Sequence, residues 1–329
     1  MSTLLKVRHL NKFFKTPRGM LHAVENVSFD IEKGSTLGVV GESGCGKSTL
    51  GRTVVRLLSP SSGEIFYKER NIVTAKSLEL KELRQEMQMI FQDPFSSLNP
   101  RMSIFTLIAE PILIHKKAKN HRELEERVFE LMNLVGLEKR LENSFPHELD
   151  GGRRQRIGVA RALALNPDFI VCDEPVSALD VSIQAQILNL LEDLQEHLGL
   201  TYMFITHDMS VVRHISDVLM VMYRGNVVEF GSSEEVFNRR LHPYTNALMS
   251  AVPNANIHIK RETALLKGEI SSPINPPDAC RFANRCPYAR ELCQHKAPEL
   301  RDINQFHQVA CHFAESIYSD SLVESNSKI

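Results

Sequence analysis

The chain has 329 residues, of which 43% are hydrophobic and 24% are charged, and its formal net charge is −1. A chain of this length can fold into one large α/β domain and a smaller one. The near-zero charge argues against a nucleic-acid-binding protein, which usually carries a basic excess. No run approaches the roughly 20 apolar residues that cross a bilayer, so we expect a cytoplasmic protein that reaches any membrane by docking on other subunits.

Short apolar runs alternate with longer helical patterns, which is typical of an α/β fold with a mainly parallel sheet. In chain order, strands are predicted at residues 4–7, 24–30, 36–40, 87–91, 169–173, 202–206, 218–223 and 226–230. Helices are predicted to begin at Lys47, Glu123, Gly152, Ile183 and Met209.

Changes in composition divide the chain into segments. The main α/β domain is predicted over residues 1–253, and the helical stretch 94–161 is interpreted as a subdomain inserted in it. Residues 254–314 are predicted to form a small accessory domain, because Pro, Ser and Cys become frequent there. The Ser-rich end, residues 315–329, is predicted to be disordered.

A phosphate-binding loop is predicted directly after the strand at 36–40. Residues 41–48, Gly-Glu-Ser-Gly-Cys-Gly-Lys-Ser, match the P-loop pattern and precede a helical segment. Glycines let successive backbone N–H groups face the phosphates, and the helix N-terminus adds a favourable dipole. Lys47 is expected to reach the β- and γ-phosphates of ATP, and Ser48 to supply an oxygen to Mg²⁺. The other expected ATP contacts are Gly41, Ser43, Gly44, Cys45, Gly46 and Thr49.

Two carboxylates end the apolar strand predicted at 169–173. Asp173 is placed to hold Mg²⁺, directly or through water. Glu174 extends past the strand, where a base could polarise the attacking water. Taken alone, the pair could be solvated loop acids. In a chain that also carries a P-loop, the pair predicts ATP hydrolysis.

With these motifs the chain resembles the ATPases of ABC transporters over residues 4–253, which implies a P-loop α/β core with a mixed sheet. Gln92, in Ile-Phe-Gln-Asp-Pro, resembles the Q-loop, and residues 149–156, Leu-Asp-Gly-Gly-Arg-Arg-Gln-Arg, resemble the signature. Asp180, in Ser-Ala-Leu-Asp, resembles the D-loop, and His207, in Ile-Thr-His-Asp, resembles the switch histidine. The resemblance implies that Gln92 senses Mg²⁺ and couples to membrane subunits, that His207 contacts the γ-phosphate, and that Asp180 belongs to the nucleotide site.

Phe14 occupies the place of the aromatic residue that stacks on adenine in this family. Neighbouring strand residues face opposite ways, so Phe13 and Phe14 cannot both stack on the base. Plain core packing is the alternative for either ring, because an aromatic residue in a strand needs no ligand.

The signature departs from the family pattern at two positions. The resemblance implies that Asp150, Gly151 and Gly152 close over ATP bound to the opposite subunit, but the family normally has Ser at position 150 and Gln at position 153. An aspartate cannot donate a hydrogen bond to the γ-phosphate, and two negative charges about 4 Å apart repel by up to roughly 4 kcal/mol. Alternatively, Asp150 only caps the following helix and pairs with Arg153.

Four segments resemble the bacterial oligopeptide/dipeptide permease subfamily and, within it, the F-type ATP-binding subunit. They are residues 96–101, 173–186, 242–245 and 280–287. The resemblance implies a heterodimer with a sister ATP-binding subunit, two transmembrane permease subunits that residues 95–113 would face, and an extracytoplasmic peptide-binding protein. It places the chain on the cytoplasmic face of the inner membrane. Peptide cargo rests on this resemblance alone, and nickel or metal chelates and antimicrobial peptides remain alternatives.

Two other classes of ABC ATPase fit the sequence less well. Chromosome-maintenance and DNA-repair ATPases insert long coiled coils between the Q-loop and the signature, where this chain has only a short helical segment. Translation-associated ABC proteins normally carry two cassettes, whereas this chain has one P-loop. No nucleic-acid partner is therefore expected.

A cysteine cluster near the end of the chain predicts a metal site, since disulfides are rare in a reducing cytosol. Its members are Cys280, Cys286, Cys293 and Cys311. The spacing lacks the close cysteine pair of most zinc modules, and four cysteines also suit a [4Fe–4S] cluster. Related peptide-permease ATPases carry such a cluster, so the resemblance favours iron–sulfur over zinc or unligated thiols. The cluster would stabilise the accessory domain and have no redox role.

Overall fold

The computed structural model describes residues 2–93, 97–250 and 273–319. In chain order, the strands of these residues are β1 (Thr3–Thr16), β2 (Gly19–Glu32), β3 (Thr36–Val40), β4 (Ser62–Tyr67), β5 (Arg70–Asn71), β6 (Met87–Ile90), β7 (Phe169–Asp173), β8 (Thr201–Thr206), β9 (Val218–Tyr223), β10 (Asn226–Ser232), β11 (Arg301–Asn304) and β12 (His307–Val309). The helices are α1 (Lys47–Val54), α2 (Ser77–Glu86), α3 (Ile104–Ile114), α4 (His121–Leu134), α5 (Gly151–Leu163), α6 (Val181–Leu198), α7 (Met209–Ile215), α8 (Ser233–Asn238), α9 (Pro243–Ser250) and α10 (Glu291–His295).

The chain forms two compact units. The first comprises Met1–Leu4, Ile31–Ser35 and Thr74–Ile205, and the second comprises Leu5–Asp30, Thr36–Val73 and Thr206–Ile329. Residues 273–314, the described part of the accessory domain predicted at 254–314, belong to the same unit as the P-loop. The predicted boundary at residue 253 lies outside the described residues.

Parallel strands lead to the predicted carboxylate pair of the first unit, Asp173 and Glu174. Strand β7 pairs with β6 on one side and with β8 on the other, both in parallel. Every residue of β7 and β8 is buried, which explains their continuous apolar sequences. Helix α6 connects the two strands and ends at Gly199, whose φ of 65° provides the left-handed cap.

The helices α3, α4 and α5 pack together within the segment predicted as an inserted helical subdomain. Ser103 caps α3 by accepting a hydrogen bond from the Thr106 N–H at 3.3 Å. Asn120 caps α4 by accepting one from the Glu123 N–H at 2.9 Å. The Asn120 cap explains why α4 begins at His121 and not at the predicted Glu123.

The second unit contains antiparallel and mixed sheets. One sheet has the order β2-β1-β4-β5, and a second group of strands has the order β11-β12-β10-β9-β3. Strand β3 runs parallel to β9, whereas β10 runs antiparallel to both β9 and β12. This arrangement confirms the predicted α/β core with a mixed sheet, and it places the P-loop at the end of the fully buried strand β3.

The C-terminal residues are built into the second unit by backbone and side-chain contacts. The Ala310 N–H donates to the Val228 carbonyl at 2.8 Å, where β12 extends the sheet. The His307 Nε2 lies 2.8 Å from the Glu229 Oε1, and both side chains are fully buried. The predicted disordered tail starts at Glu315, but residues 315–319 are described and Glu315 accepts two hydrogen bonds from Arg301, at 2.7 and 2.6 Å. Residues 320–329 lie outside the described part of the chain.

Among the helices of the described residues, none combines the length and the apolar character needed to cross a membrane.

Candidate functional site

The P-loop turns so tightly that two of its glycines cannot carry a side chain. Gly41 has φ 150° and Gly46 has φ 107°, in the region that L-residues rarely adopt. A Cβ on Gly41 would lie 2.2 Å from the Met222 carbonyl oxygen, and one on Gly46 would lie 2.0 Å from the Ala23 carbonyl oxygen. The loop is therefore packed backbone against backbone, which fixes its shape.

Lys47 is buried and folded back on its own loop. Its Nζ donates to the carbonyl oxygens of Gly41 at 2.7 Å and Glu42 at 3.0 Å. An ammonium in this place can exchange these carbonyls for phosphate oxygens without being exposed to solvent.

The other P-loop residues predicted to contact ATP differ in exposure. Ser43 and Gly44 are exposed, and Ser48 and Thr49, in the first turn of α1, are half-buried. Cys45 is buried, and burial raises the pKa of its thiol, so this side chain supplies packing and no charge to the loop.

The two aromatic residues of β1 have different neighbours. The Phe13 ring lies 4.3 Å from the His22 ring. The Phe14 ring is half-buried and carries the Lys12 ammonium 4.8 Å from its centroid. Phe13 therefore packs against another side chain of the protein, and Phe14 remains the candidate for stacking on adenine.

In the first unit, Glu174, the residue predicted as the base, has a left-handed backbone conformation. Asp173 ends β7 with no solvent exposure. Glu174 follows at φ 48°, and its N–H donates to the Ile205 carbonyl at 2.9 Å. A left-handed conformation at a non-glycine residue costs about 1 kcal/mol or more, and such strain is common at functional sites.

The Q-loop glutamine meets this carboxylate directly. The Gln92 Nε2 donates to the Glu174 Oε2 at 2.7 Å. A neutral amide that donates to a carboxylate orients it without changing its charge. The structure thus brings together two predicted site residues that are 82 positions apart.

The signature begins helix α5, and its aspartate caps that helix. The Asp150 Oδ1 accepts from the Arg153 N–H at 2.8 Å, and the Arg153 NH1 lies 3.6 Å from the Asp150 Oδ2. The capping contact and the pairing with Arg153 are therefore both present. The Asp150 side chain is nevertheless 57% exposed, so its carboxylate remains open to a ligand.

The signature glycines lie tightly against the start of α6. A Cβ on Gly151 would lie 2.9 Å from the Leu179 Cδ2, and one on Gly152 would lie 2.7 Å from the Ile183 Cγ2. This close approach joins the signature to the D-loop within the first unit. Asp180 is exposed and occupies the N-cap position of α6.

His207, which directly follows β8 in the sequence, belongs to the second unit and is exposed. The next residue, Asp208, caps α7 by accepting from the Ser210 N–H at 2.8 Å. The cap ends the strand and fixes the turn that carries the histidine.

The four C-terminal cysteines lie close enough to influence one another. Burial raises the pKa of Cys286 to about 12 and that of Cys280 to about 11, and the neighbouring cysteines contribute to both shifts. The Cys280 N–H donates to the Cys293 carbonyl at 2.9 Å. In the described part of the chain, however, no group of three or more His, Cys, Asp or Glu side chains has an arrangement that could hold a metal ion.

Residues that the sequence did not single out also surround the P-loop. Glu42 accepts two hydrogen bonds from Arg285, and its N–H donates to the Tyr244 hydroxyl. Glu42 stands at a variable position of the P-loop pattern, so the motif gave no reason to choose it. Its arginine partner is 243 residues away.

Comparison with known proteins gives two family matches. Residues 24–177 match the ABC transporter family, and residues 228–293 match the oligopeptide/dipeptide transporter C-terminal region. Together the two matches include the P-loop, Q-loop, signature and Glu174, and they extend through three of the four clustered cysteines.

Relatives of known name match nearly the whole chain. The oligopeptide transport ATP-binding protein AppF of Bacillus subtilis is 50% identical over 320 residues, which cover 94% of this chain and 97% of AppF. The oligopeptide transport ATP-binding protein OppF of Haemophilus influenzae is 50% identical over 319 residues, which cover 94% of this chain and 96% of OppF.

Solved structures agree with these matches. The ATP-binding cassette MJ0796, solved as a dimer in a post-hydrolysis state with ADP and phosphate, has a TM-score of 0.65 and 29% identity, with 70% of this chain and 99% of that one covered. CbiO1 of Clostridium perfringens, part of the ABC transporter complex cbiONQ, also has a TM-score of 0.65 and 29% identity, with 73% and 92% covered.

Proposed function

Because this chain belongs to the ABC transporter family, among the oligopeptide transport ATP-binding proteins, we propose that it hydrolyses ATP to drive the import of peptides. The observation that carries this proposal is the 50% identity to such proteins over 94% of the chain. That stretch includes both the ATPase motifs and the C-terminal region characteristic of peptide transporters.

The residues on the P-loop side bind the nucleotide. The backbone N–H groups of residues 43–48 and the Lys47 ammonium hold the phosphates, and Phe14 stacks on the adenine. His207 contacts the γ-phosphate. The oxygen donors Ser48, Asp173 and Gln92 suit Mg²⁺, which prefers such ligands. When bound, the ion neutralises charge on the phosphates.

Glu174 is the general base. Its position beyond β7 and the hydrogen bond from Gln92 support this role, since an oriented carboxylate can accept a proton from the attacking water. Because Gln92 contacts Glu174, movement of the Q-loop would also move the base. We propose that this contact couples hydrolysis to the membrane subunits.

The functional ATPase is a heterodimer with a sister ATP-binding subunit. Each ATP is held between one subunit's P-loop and the other's signature, so Asp150, Gly151 and Gly152 act on ATP bound to the sister subunit. The D-loop residue Asp180 is the N-cap of α6 and lies between Leu179 and Ile183, the residues that the signature glycines approach. MJ0796 was solved as a dimer with bound ADP and phosphate, which supports a dimeric ATPase.

Two permease subunits and an extracytoplasmic peptide-binding protein complete the transporter, with this chain on the cytoplasmic face of the inner membrane. Phe91, Leu113 and Ile114 expose 42%, 56% and 59% of their surface. A cavity of about 110 Å³ is lined in part by Phe91 and by Pro111, which belongs to the same helix as Leu113 and Ile114. Exposed apolar side chains next to a cavity suit a protein partner, and these residues lie at the Q-loop or close to the segment expected to face the permeases.

Isolation of the intact complex tests this function. The tagged chain, purified from membranes in mild detergent, should carry one sister ATP-binding subunit and two permeases. The associated binding protein should release peptides that mass spectrometry identifies. If the binding protein releases nickel or a metal chelate instead, the peptide cargo is refuted but the ATPase function is not. If the tagged chain is recovered with DNA and without permeases, the transport function is refuted.

The clustered cysteines are proposed to hold a [4Fe–4S] cluster. Four thiolates match the donor set that such a cluster requires, and the mutual effect of the thiols on their pKa values supports their proximity. The arrangement of the described side chains does not itself form a metal-holding group. Binding therefore requires the thiols to lose their protons and converge.

A further inference from the structure

Glu42, the residue after the first P-loop glycine, forms hydrogen bonds through its N–H, its carbonyl and its carboxylate. Its N–H donates to the Tyr244 hydroxyl at 2.8 Å, and its carbonyl accepts from the Lys47 Nζ at 3.0 Å. Its carboxylate accepts from the Arg285 NH1 at 2.7 Å and from the Arg285 NH2 at 2.9 Å. The first turn of the loop is thus attached to two residues from outside it, and one of these comes from the C-terminal segment 273–319.

The ion pair between Arg285 and Glu42 is bidentate and largely shielded from water. The side chains are 8% and 25% exposed, respectively. Hydrogen bonding to Glu42 raises the pKa of Arg285. Removing one partner of such a pair leaves the other charge uncompensated, which costs more than the pair contributes on its own. In this place the uncompensated charge would be a carboxylate on the loop that binds phosphates.

A second connection to the P-loop starts four residues earlier in the same segment. The Arg281 guanidinium donates to the Arg224 carbonyl and to the Glu25 carboxylate. The next residue, Gly225, donates its N–H to the Cys45 carbonyl at 2.8 Å. Arg281 therefore fixes the turn that supports the middle of the P-loop.

Aromatic packing holds these two arginines in place. The Phe282 ring, between them in the sequence, lies 5.2 Å from the Tyr223 ring and 5.5 Å from the Tyr244 ring. Phe282 is 2% exposed. The contact with Tyr223 is edge-to-face, a geometry that adds stability beyond burial itself, so the segment has a defined position on the loop.

We propose that Arg285 is a positioning residue of the nucleotide site: it neutralises Glu42 and holds the first turn of the P-loop, so that the C-terminal segment sets the affinity of this chain for ATP. The physical reason is charge. ATP brings several negative charges to the loop, and a carboxylate there opposes binding unless a cation compensates it. This inference rests on the proposed ATP binding and adds a determinant outside the ATPase motifs.

Binding of a fluorescent ATP analogue to the full chain tests the role. Arg285→Gln should weaken binding about tenfold, because the Glu42 carboxylate loses its partner. The double variant Glu42→Gln/Arg285→Gln should bind within about threefold of the parental chain, because the repelling charge is gone as well. A merely structural role of Arg285 predicts no such recovery.

Arg301→Gln is the matched control. It breaks another bidentate arginine–glutamate pair, with Glu315, in the same C-terminal segment and away from the P-loop. Its affinity should equal the parental value. Should Arg285→Gln fail to fold, Arg285→Lys replaces it; this variant keeps the charge but loses the paired bonds, and about threefold weaker binding is expected.

Three results would overturn the inference: unchanged affinity in Arg285→Gln or its lysine replacement, equal losses in the Arg285 and Arg301 variants, or no recovery in the double variant. Failure of the parental chain to bind the analogue would instead refute the proposed ATP binding. The two failures are therefore distinguishable.

Discussion

Glu174 illustrates how a single residue combines strain with a specific contact. Its φ of 48° turns the chain directly after β7, and the hydrogen bond from Gln92 at 2.7 Å holds the carboxylate in one orientation. A conformation that costs about 1 kcal/mol or more persists only where the surrounding structure enforces it. Here the enforcing contact is the backbone hydrogen bond to Ile205, at 2.9 Å.

Asp150→Ser separates the two roles of the signature aspartate. Serine caps a helix about as well as aspartate, so the midpoint of thermal unfolding should change little. Removing the carboxylate should raise ATP turnover of the assembled heterodimer, because a half-exposed pairing with Arg153 offsets little of its charge. Steady-state ATP hydrolysis by the heterodimer measures the effect.

The equivalent of Lys47→Ala in the sister subunit is the control for this variant. If the two ATP sites are unequal, Lys47→Ala here should reduce turnover more than the sister's lysine change does. Equal losses, together with an unchanged rate in Asp150→Ser, would mean that Asp150 is only a helix cap.

Residue-level prediction was possible where the signal is local in the sequence. The P-loop and the pair Asp173 and Glu174 were recognisable because each motif is continuous and follows an apolar strand. The Arg285–Glu42 pair was not recognisable, since it joins residues 243 positions apart and neither belongs to a motif. Contacts of that kind depend on tertiary packing, which sequence patterns do not encode directly.

Among the elements, the strongly apolar strands were predicted best. Strands β3, β7 and β9 have the predicted bounds, because buried parallel strands are continuous apolar runs. Strands β1 and β2 are 14 residues each, far longer than predicted. Their outer parts are only half-buried and mixed in polarity, so the apolar signal stops while backbone pairing continues, for example between Asn11 and Ser62.

Several short strands were also missed. Strands β4, β5, β11 and β12 were not predicted, and β5 contains only Arg70 and Asn71. These strands are stabilised by their partners and not by their own composition. The pairing of β12 with β10 explains why residues 273–319 belong to the P-loop unit.

Cys286→Ser tests the metal proposal at the level of the C-terminal segment. Parental protein purified without oxygen should be brown and contain iron and acid-labile sulfide, and the variant should lose both. Its C-terminal segment should also unfold more readily, because ligand binding stabilises the folded segment. Elemental analysis measures the iron content, and visible absorption detects the cluster.

Cys172→Ser is a suitable control for iron content, since this buried cysteine belongs to β7 in the first unit. It should keep the iron. Stoichiometric zinc in the parental protein would refute the iron–sulfur proposal. The absence of any metal in strictly anaerobic preparations would also refute it and would mean that the four cysteines are thiols without a metal.

At the scale of the whole molecule, the two compact units divide the predicted machinery. The first carries Gln92, the signature and Glu174, and the second carries the P-loop and His207. The second also contains residues 273–319, of which Arg285 contacts the P-loop directly. The part of the chain that resembles peptide transporters specifically is therefore structurally continuous with the nucleotide-binding loop.

ATP-dependent uptake of a labelled peptide by the assembled transporter in proteoliposomes tests the central claim most directly, with hydrolysis and nucleotide binding measured on the same preparation. We expect parental transporter to take up peptide only with Mg-ATP. Glu174→Gln should keep ATP binding, accumulate the ATP-bound dimer, and lose most hydrolysis and uptake, because the shape is retained and the base is removed. Lys47→Ala should differ by losing nucleotide binding itself. Hydrolysis at the parental rate in Glu174→Gln, or peptide uptake that continues without hydrolysis, would contradict the account.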